Sequence, residues 1–189
     1  MFFLDFIEPK TIYLIAHIFG VAIGAGGAFA SDAMFFSTIR DGRIDRHELR
    51  FMKLGSRLVW SGLTLLFISG IFLVSTDPSG YLSSGKFLVK ISIVGVIALN
   101  GVIFHLVHIP HIHNHLGLKF AESPTFIKRA PLLMASGAIS MASWSSTIIL
   151  GMLKNVPYGY SEIIGIYLLV IGVAVLGAVL MTKPILRLP

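Results

Sequence analysis

Five long apolar stretches organise the chain, roughly residues 11–39, 58–75, 87–109, 131–153 and 163–181. A helix rises about 1.5 Å per residue and the hydrocarbon of a bilayer is about 30 Å thick, so about 20 residues cross it. Each stretch reaches that length within the tolerance for tilt. The strands of a membrane barrel would be shorter and would alternate in polarity, and these stretches do neither. Helices also satisfy their own backbone polar groups, which lipid cannot do. The pattern predicts an all-α fold: an integral membrane five-helix bundle forming a single transmembrane domain over residues 1–189.

The polar connections fit this division. Asp45-Arg46-His47-Glu48 has the spacing of a capping box, which starts the second helix in water well before it enters lipid near Leu58. Thr76-Asp77-Pro78-Ser79-Gly80 and Asn155-Val156-Pro157-Tyr158-Gly159 are turn signals. Pro110 is expected to end or kink the third helix, because it lacks the amide hydrogen that a helix interior needs. No internal repeat or low-complexity tract is present. The first span is preceded by no basic leader and is expected to be retained. Met1–Ile7, apolar but too short to span, is expected to lie along the interface.

Composition sharpens the class. Hydrophobic residues make up 55% of the chain and charged residues 13%, with a mean hydropathy of +0.85. A soluble domain carries roughly 25% charged residues to cover its surface, so a soluble enzyme is excluded. The chain has no cysteine, which excludes disulfides, thiolate metal sites and a cysteine nucleophile. The net charge of +6 is read as a topology signal rather than as affinity for nucleic acid. Eleven Lys and Arg follow spans one, three and five: Arg40, Arg43, Arg46, Arg50, Lys53, Arg57, Lys119, Lys128, Arg129, Lys183 and Arg187. Four lie on the other side: Lys10, Lys86, Lys90 and Lys154. The positive-inside rule then places the N-terminus outside and the C-terminus in the cytoplasm, with the chain multi-pass in the cytoplasmic (inner) membrane.

Ionisable groups inside spans are costly, and each asks for a reason. His17, near the outer end of span one, is either a neutral imidazole bonded to a neighbouring helix or a ligand to haem or metal. Lys90, at similar depth in span three, either snorkels to the headgroups or brings a donor or nitrogen ligand close to His17. Lys86 reads as a boundary residue. Asp32 and Arg57 are expected to form an ion pair between antiparallel neighbours, and Asn100 to hydrogen-bond between helices. Gly20, Gly24 and Gly27 stripe span one, and Ser136, Ser140 and Ser143 stripe span four, as at close helix contacts.

The densest constellation is His105, His108, His111, His113 and His115. His105 and His108 share a helical face, and the last three would project to one side if the segment beyond Pro110 were extended. Such a set fits copper, zinc or nickel through nitrogen, and equally a basic interfacial segment drawn to anionic headgroups. By span boundaries His105 lies about 12 residues deeper than His17, about 18 Å along the membrane normal. One iron cannot be reached by both, and His17 with Lys90 is the pair that depth allows.

From His17 to about Ile109 the pattern resembles a superfamily of small bacterial membrane proteins. It includes the copper-resistance D-type proteins and the haem-binding protoporphyrinogen oxidase of the HemJ type. The resembling features are His17 in a Gly-rich span, Arg57 before the second span, Ile68-Ser69-Gly70-Ile71 near its end, and Gly85-Lys86-Phe87-Leu88-Val89-Lys90. The resemblance implies that His17 and Lys90 take part in binding haem b. The chain adds the histidine cluster and a fifth span to that pattern.

Three functions are therefore expected to compete. The first is a haem b protein of electron transfer or haem-dependent oxidoreduction, with a membrane redox partner or quinone. The second is a copper-like transport or resistance protein that uses the 105–115 segment. The third is a cofactor-free subunit packed in a membrane complex or a homo-oligomer.

Overall fold

The computed structural model describes residues 8–119, 122–154 and 156–186. The segment Met1–Ile7, expected at the interface, lies outside them, as do Asn155 of the second turn and Arg187. The described residues are helical throughout their ordered elements: α1 (Pro9–Asp41), α2 (Arg46–Thr76), α3 (Pro78–Leu82), α4 (Gly85–Ile103), a π-helical turn (Phe104–His108), α5 (Ile109–His113), α6 (Pro124–Met152) and α7 (Tyr160–Leu186). Five segments are long and apolar enough to cross a membrane: Pro9–Thr38, Arg46–Thr76, Gly85–His113, Pro124–Met152 and Tyr160–Thr182.

Local signals account for the helix limits. Asp45 caps α2: its carboxylate accepts from the Glu48 N–H at 2.7 Å, and Glu48 accepts from the Asp45 N–H at 2.8 Å. Both halves of the capping box are thus made. The other Glu48 oxygen takes the buried Thr38 hydroxyl at 2.7 Å, tying the end of α1 to the start of α2. Gly42, at φ +72, closes α1 in the left-handed conformation that glycine adopts without strain. Asp77 begins α3 by accepting from the Gly80 N–H.

At Pro110 the helix does not stop. The Ile109 N–H reaches back to the Phe104 carbonyl, a π turn, and the proline falls in the first turn of α5. The wider π turn loosens the ladder where proline has no hydrogen to give, so the axis continues to His113.

The α1–α2 hairpin is antiparallel and glycine-packed. A Cβ on Gly20 would lie 2.9 Å from the Leu66 nitrogen, one on Gly27 2.6 Å from the Leu58 Cβ, and one on Gly62 2.7 Å from the Gly20 carbonyl. Such close approach is what small-residue stripes permit. Helix α6 runs antiparallel to both α1 and α4 and joins the bundle through its serine stripe. Ser136 donates to Asn100 of α4, which donates back to the Ser136 carbonyl, while Ser140 bonds Asp32 of α1 and Ser143 bonds Tyr167 of α7. The stripe expected to bring backbones together instead sends one hydroxyl to each of three helices. Helix α7 packs on α6 and α4, and its outer face (Leu168, Leu169, Val173, Leu176, Leu180) is exposed apolar surface suited to lipid.

Candidate functional site

His17 sits two turns into α1 and faces α2. Its Nδ1 lies 3.0 Å from the Ser69 Oγ. That hydroxyl has one hydrogen, and it points to the carbonyls of Leu65 (2.6 Å) and Leu66 (3.2 Å). Serines in apolar helices donate to a carbonyl of their own preceding turn, and on that assignment Ser69 accepts and the imidazole donates through Nδ1–H. With the proton on Nδ1, the neutral ring carries its lone pair on Nε2; the Leu66 backbone also hydrogen-bonds the imidazole.

Lys90 rises from α4 at the same end of the bundle, close enough for its charge to act on His17. It is half-buried, and its ammonium makes no hydrogen bond or ion pair among the described residues. Glycines flank both groups: a Cβ on Gly70 would come 3.8 Å from the His17 Cε1, and one on Gly151 4.0 Å from the Lys90 Nζ. A side chain at either position would pack directly against His17 or Lys90. Tyr13 and Phe72 stack just above, with centroids 5.0 Å apart.

Lys86, expected as a boundary residue, has a structural partner. Its ammonium donates to the Leu153 carbonyl at 2.5 Å, at the C-cap of α6. A cation suits the last carbonyls of a helix, where the macrodipole is negative. One turn separates the two lysines: Lys86 is committed to the scaffold, and Lys90 is unengaged among the described residues.

The expected Asp32–Arg57 ion pair is not formed. Among the described residues the ion pair is Lys119–Glu122, and Arg57 is exposed. Register explains the difference. Gly55 and Ser56 are buried in α2, and a Cβ on Gly55 would meet Ser31 at 2.7 Å. Arg57, about 100° further round the helix, turns outward. Asp32 points inward to Ser140 and Gly137 of α6, where its Oδ2 is buried with no partner among the described residues.

The histidine cluster is divided. His105 and His113 are exposed, while His108 (2% exposed) and His111 (8%) are buried. Because the chain stays helical to His113, the one-sided extended row expected of His111, His113 and His115 does not form. His111 stacks on Phe126 at 5.7 Å, and His108 meets Phe104 edge-on. His115 donates from Nδ1 to the His111 carbonyl at 2.7 Å and accepts the Thr125 hydroxyl at Nε2. The Nε2 atoms of His108 and His111 are buried without partners among the described residues. Among those residues no three His, Asp or Glu converge as a metal-binding group.

Two features were not singled out as sites in the sequence. One is Ser69, whose role depends on a hydroxyl donating within its own turn, as serines in apolar helices do. The other is Trp144, fully buried on α6 with its Nε1 unpartnered among the described residues. A tryptophan mid-span rather than at the interface, where amphipathic rings collect, was the available signal. No family model, curated protein or solved structure matches the chain.

Proposed function

We propose that this protein binds haem b within the cytoplasmic membrane and serves electron transfer or haem-dependent oxidoreduction. The observation that carries the reading is the contact between His17 Nδ1 and the Ser69 hydroxyl. With Nδ1–H held by Ser69, Nε2 is left as a ligand nitrogen. Histidines that bind metals characteristically donate their other ring N–H in this way, which fixes the ring and raises its basicity. Lys90 would supply a second nitrogen ligand or a cation for a propionate, and it is not engaged elsewhere among the described residues.

Bound haem would supply one-electron chemistry that no side chain offers. The chain's own residues do the rest. His17 would ligate the haem, Ser69 would orient the ring, and the apolar helices would keep the surroundings at low dielectric. The Lys and Arg distribution supports a topology with the N-terminus outside, with the pair beneath the outer leaflet.

The test is the visible spectrum of the detergent-purified protein from haem-replete cells. A Soret band that His17→Ala abolishes is expected, and a colourless wild-type preparation overturns the reading.

A further inference from the structure

On the other side of the bundle centre from His17, α1, α2, α4 and α6 enclose a cleft of about 60 Å³. A water molecule needs roughly 10–15 Å³ of such space, so the cleft has room for a few waters. Pockets for organic ligands begin near roughly 300 Å³, so it is too small for a ring system.

Two buried polar atoms in its wall have no partner among the described residues: Asp32 Oδ2 from α1 and Trp144 Nε1 from α6. They are opposite in sense. An indole N–H can only donate, while a carboxylate oxygen accepts and a carboxylic acid can also donate. A bare cation would satisfy Asp32 but would be set against the indole hydrogen. Water answers both, accepting from Trp144 and donating to Asp32.

The other polar side chains of the lining are neutral: Ser31 on α1, Ser56 on α2, Asn100 on α4, and Ser136 and Ser140 on α6, and the remainder of the wall is apolar. Asp32 is the one titratable group among the lining residues. The nearest base in sequence on the facing helix, Arg57, turns outward. A buried carboxylate with neither counter-charge nor water is too costly to persist in an apolar bundle, and ionisable groups inside spans characteristically mark ion or proton pathways.

We infer that Asp32 is an intramembrane proton-exchange site, served by water held between its free carboxyl oxygen and the Trp144 indole. Uptake forms one O–H bond at Oδ2 as a hydronium ion gives up its proton and becomes water. Release is the reverse, and no electron moves. Ser140 holds the carboxyl in place by hydrogen bonding, and Phe36 and Trp60 of the lining are exposed on the bundle surface. The site is independent of the haem reading, since neither His17 nor Lys90 lines the cleft.

The experiment is labelling of the full chain in detergent with dicyclohexylcarbodiimide, a lipid-soluble reagent that attacks protonated carboxyls, followed by mapping of the adduct by mass spectrometry. An adduct at Asp32 whose yield falls as pH rises is expected, with none in Asp32→Asn. Trp144→Phe keeps the ring but loses the donor, and it should displace the pH midpoint of labelling. If Asp32→Asn does not fold, the wild-type pH profile and the Trp144→Phe displacement carry the test. An Asp32 that stays unlabelled at every pH, or is labelled equally at all of them, overturns the inference.

Discussion

The indole of Trp144 occupies the space that a side chain at position 24 would need: a Cβ added to Gly24 would lie 2.9 Å from its Cζ2. Gly62 of α2 presses on the backbone of the same glycine from the other side. Gly24 is therefore the point at which α1, α2 and α6 meet, and it can be neither enlarged nor moved aside. Gly24→Val should destabilise the bundle by about 1–3 kcal/mol, the usual cost of overpacking. A lowered Tm in detergent checks this. In a Trp144→Ala background Gly24→Val should cost less than it does in the wild type, since the facing ring is the obstacle. An undiminished cost there would mean that the α2 backbone, not the indole, sets the limit.

This junction also marks how far the sequence could be read. The five spans and the Asp45–Glu48 cap were legible because each rests on residues close in the chain, namely a run of apolar positions or an i, i+3 pair. The Asp32–Arg57 pairing failed because it depends on rotational register between two helices. The Gly55–Ser31 contact sets that register, and no single-helix pattern contains it. The extended histidine row failed for a related reason. A π turn absorbed Pro110 and kept the backbone helical, so period-two alternation never applied to His111, His113 and His115. The roles of Ser69 and Lys86 rest on contacts between residues 52 and 67 positions apart, which spacing alone does not reveal.

The two lysines of α4 should separate cleanly on substitution. Lys86→Met removes the cation from the C-cap of α6 and should lower stability by about 0.3–1 kcal/mol, the worth of a favourable charge at a helix end. On the haem reading, Lys90→Met should leave thermal stability nearly unchanged while shifting or weakening the Soret band. Paired melting and absorption measurements on the two variants decide it. A stable Lys86→Met with an altered Soret band, beside a Lys90→Met that melts early with its spectrum intact, would contradict both roles.

Ser69→Ala tests the tautomer argument without touching the proposed ligand. Losing the acceptor for Nδ1–H frees the ring to rotate and to exchange tautomers, and loss of such outer-shell partners typically costs about 10–100-fold in metal affinity. Haem retention should fall by about that factor while the helices persist, because the other Ser69 hydrogen bonds stay within its own helix. Titration of the apoprotein with haemin, followed in the Soret region, gives the number. Affinity equal to wild type would show that Ser69 does not govern the ring.

Glu48 carries two jobs, and its variants should show both. Asp45→Ala removes the cap of α2 and should cost about 0.5–2 kcal/mol. Glu48→Ala removes the reciprocal half of the box and also the bond to Thr38, a residue with no exposed surface. It leaves a buried hydroxyl with only its own helix to bond, through the Met34 carbonyl. The loss should therefore exceed that of Asp45→Ala, and Thr38→Val should recover some of it by removing the hydroxyl. Chemical denaturation of the three variants in detergent ranks them.

The absence of cysteine makes the proposed topology directly measurable, since any introduced thiol is unique in the chain. Ser79 lies exposed in the short helix α3 between α2 and α4, and Glu122 in the exposed segment before α6, at the opposite end of the bundle. If the Lys and Arg excess faces the cytoplasm, Ser79→Cys should react with a membrane-impermeant maleimide in intact cells. Glu122→Cys should react only after the membrane is opened. Both side chains are exposed and their partners, Asp77 and Lys119, are exposed surface groups, so neither variant should disturb folding. The opposite labelling pattern would invert the bundle and place His17 and Lys90 beneath the cytoplasmic leaflet, changing which redox partners can reach them.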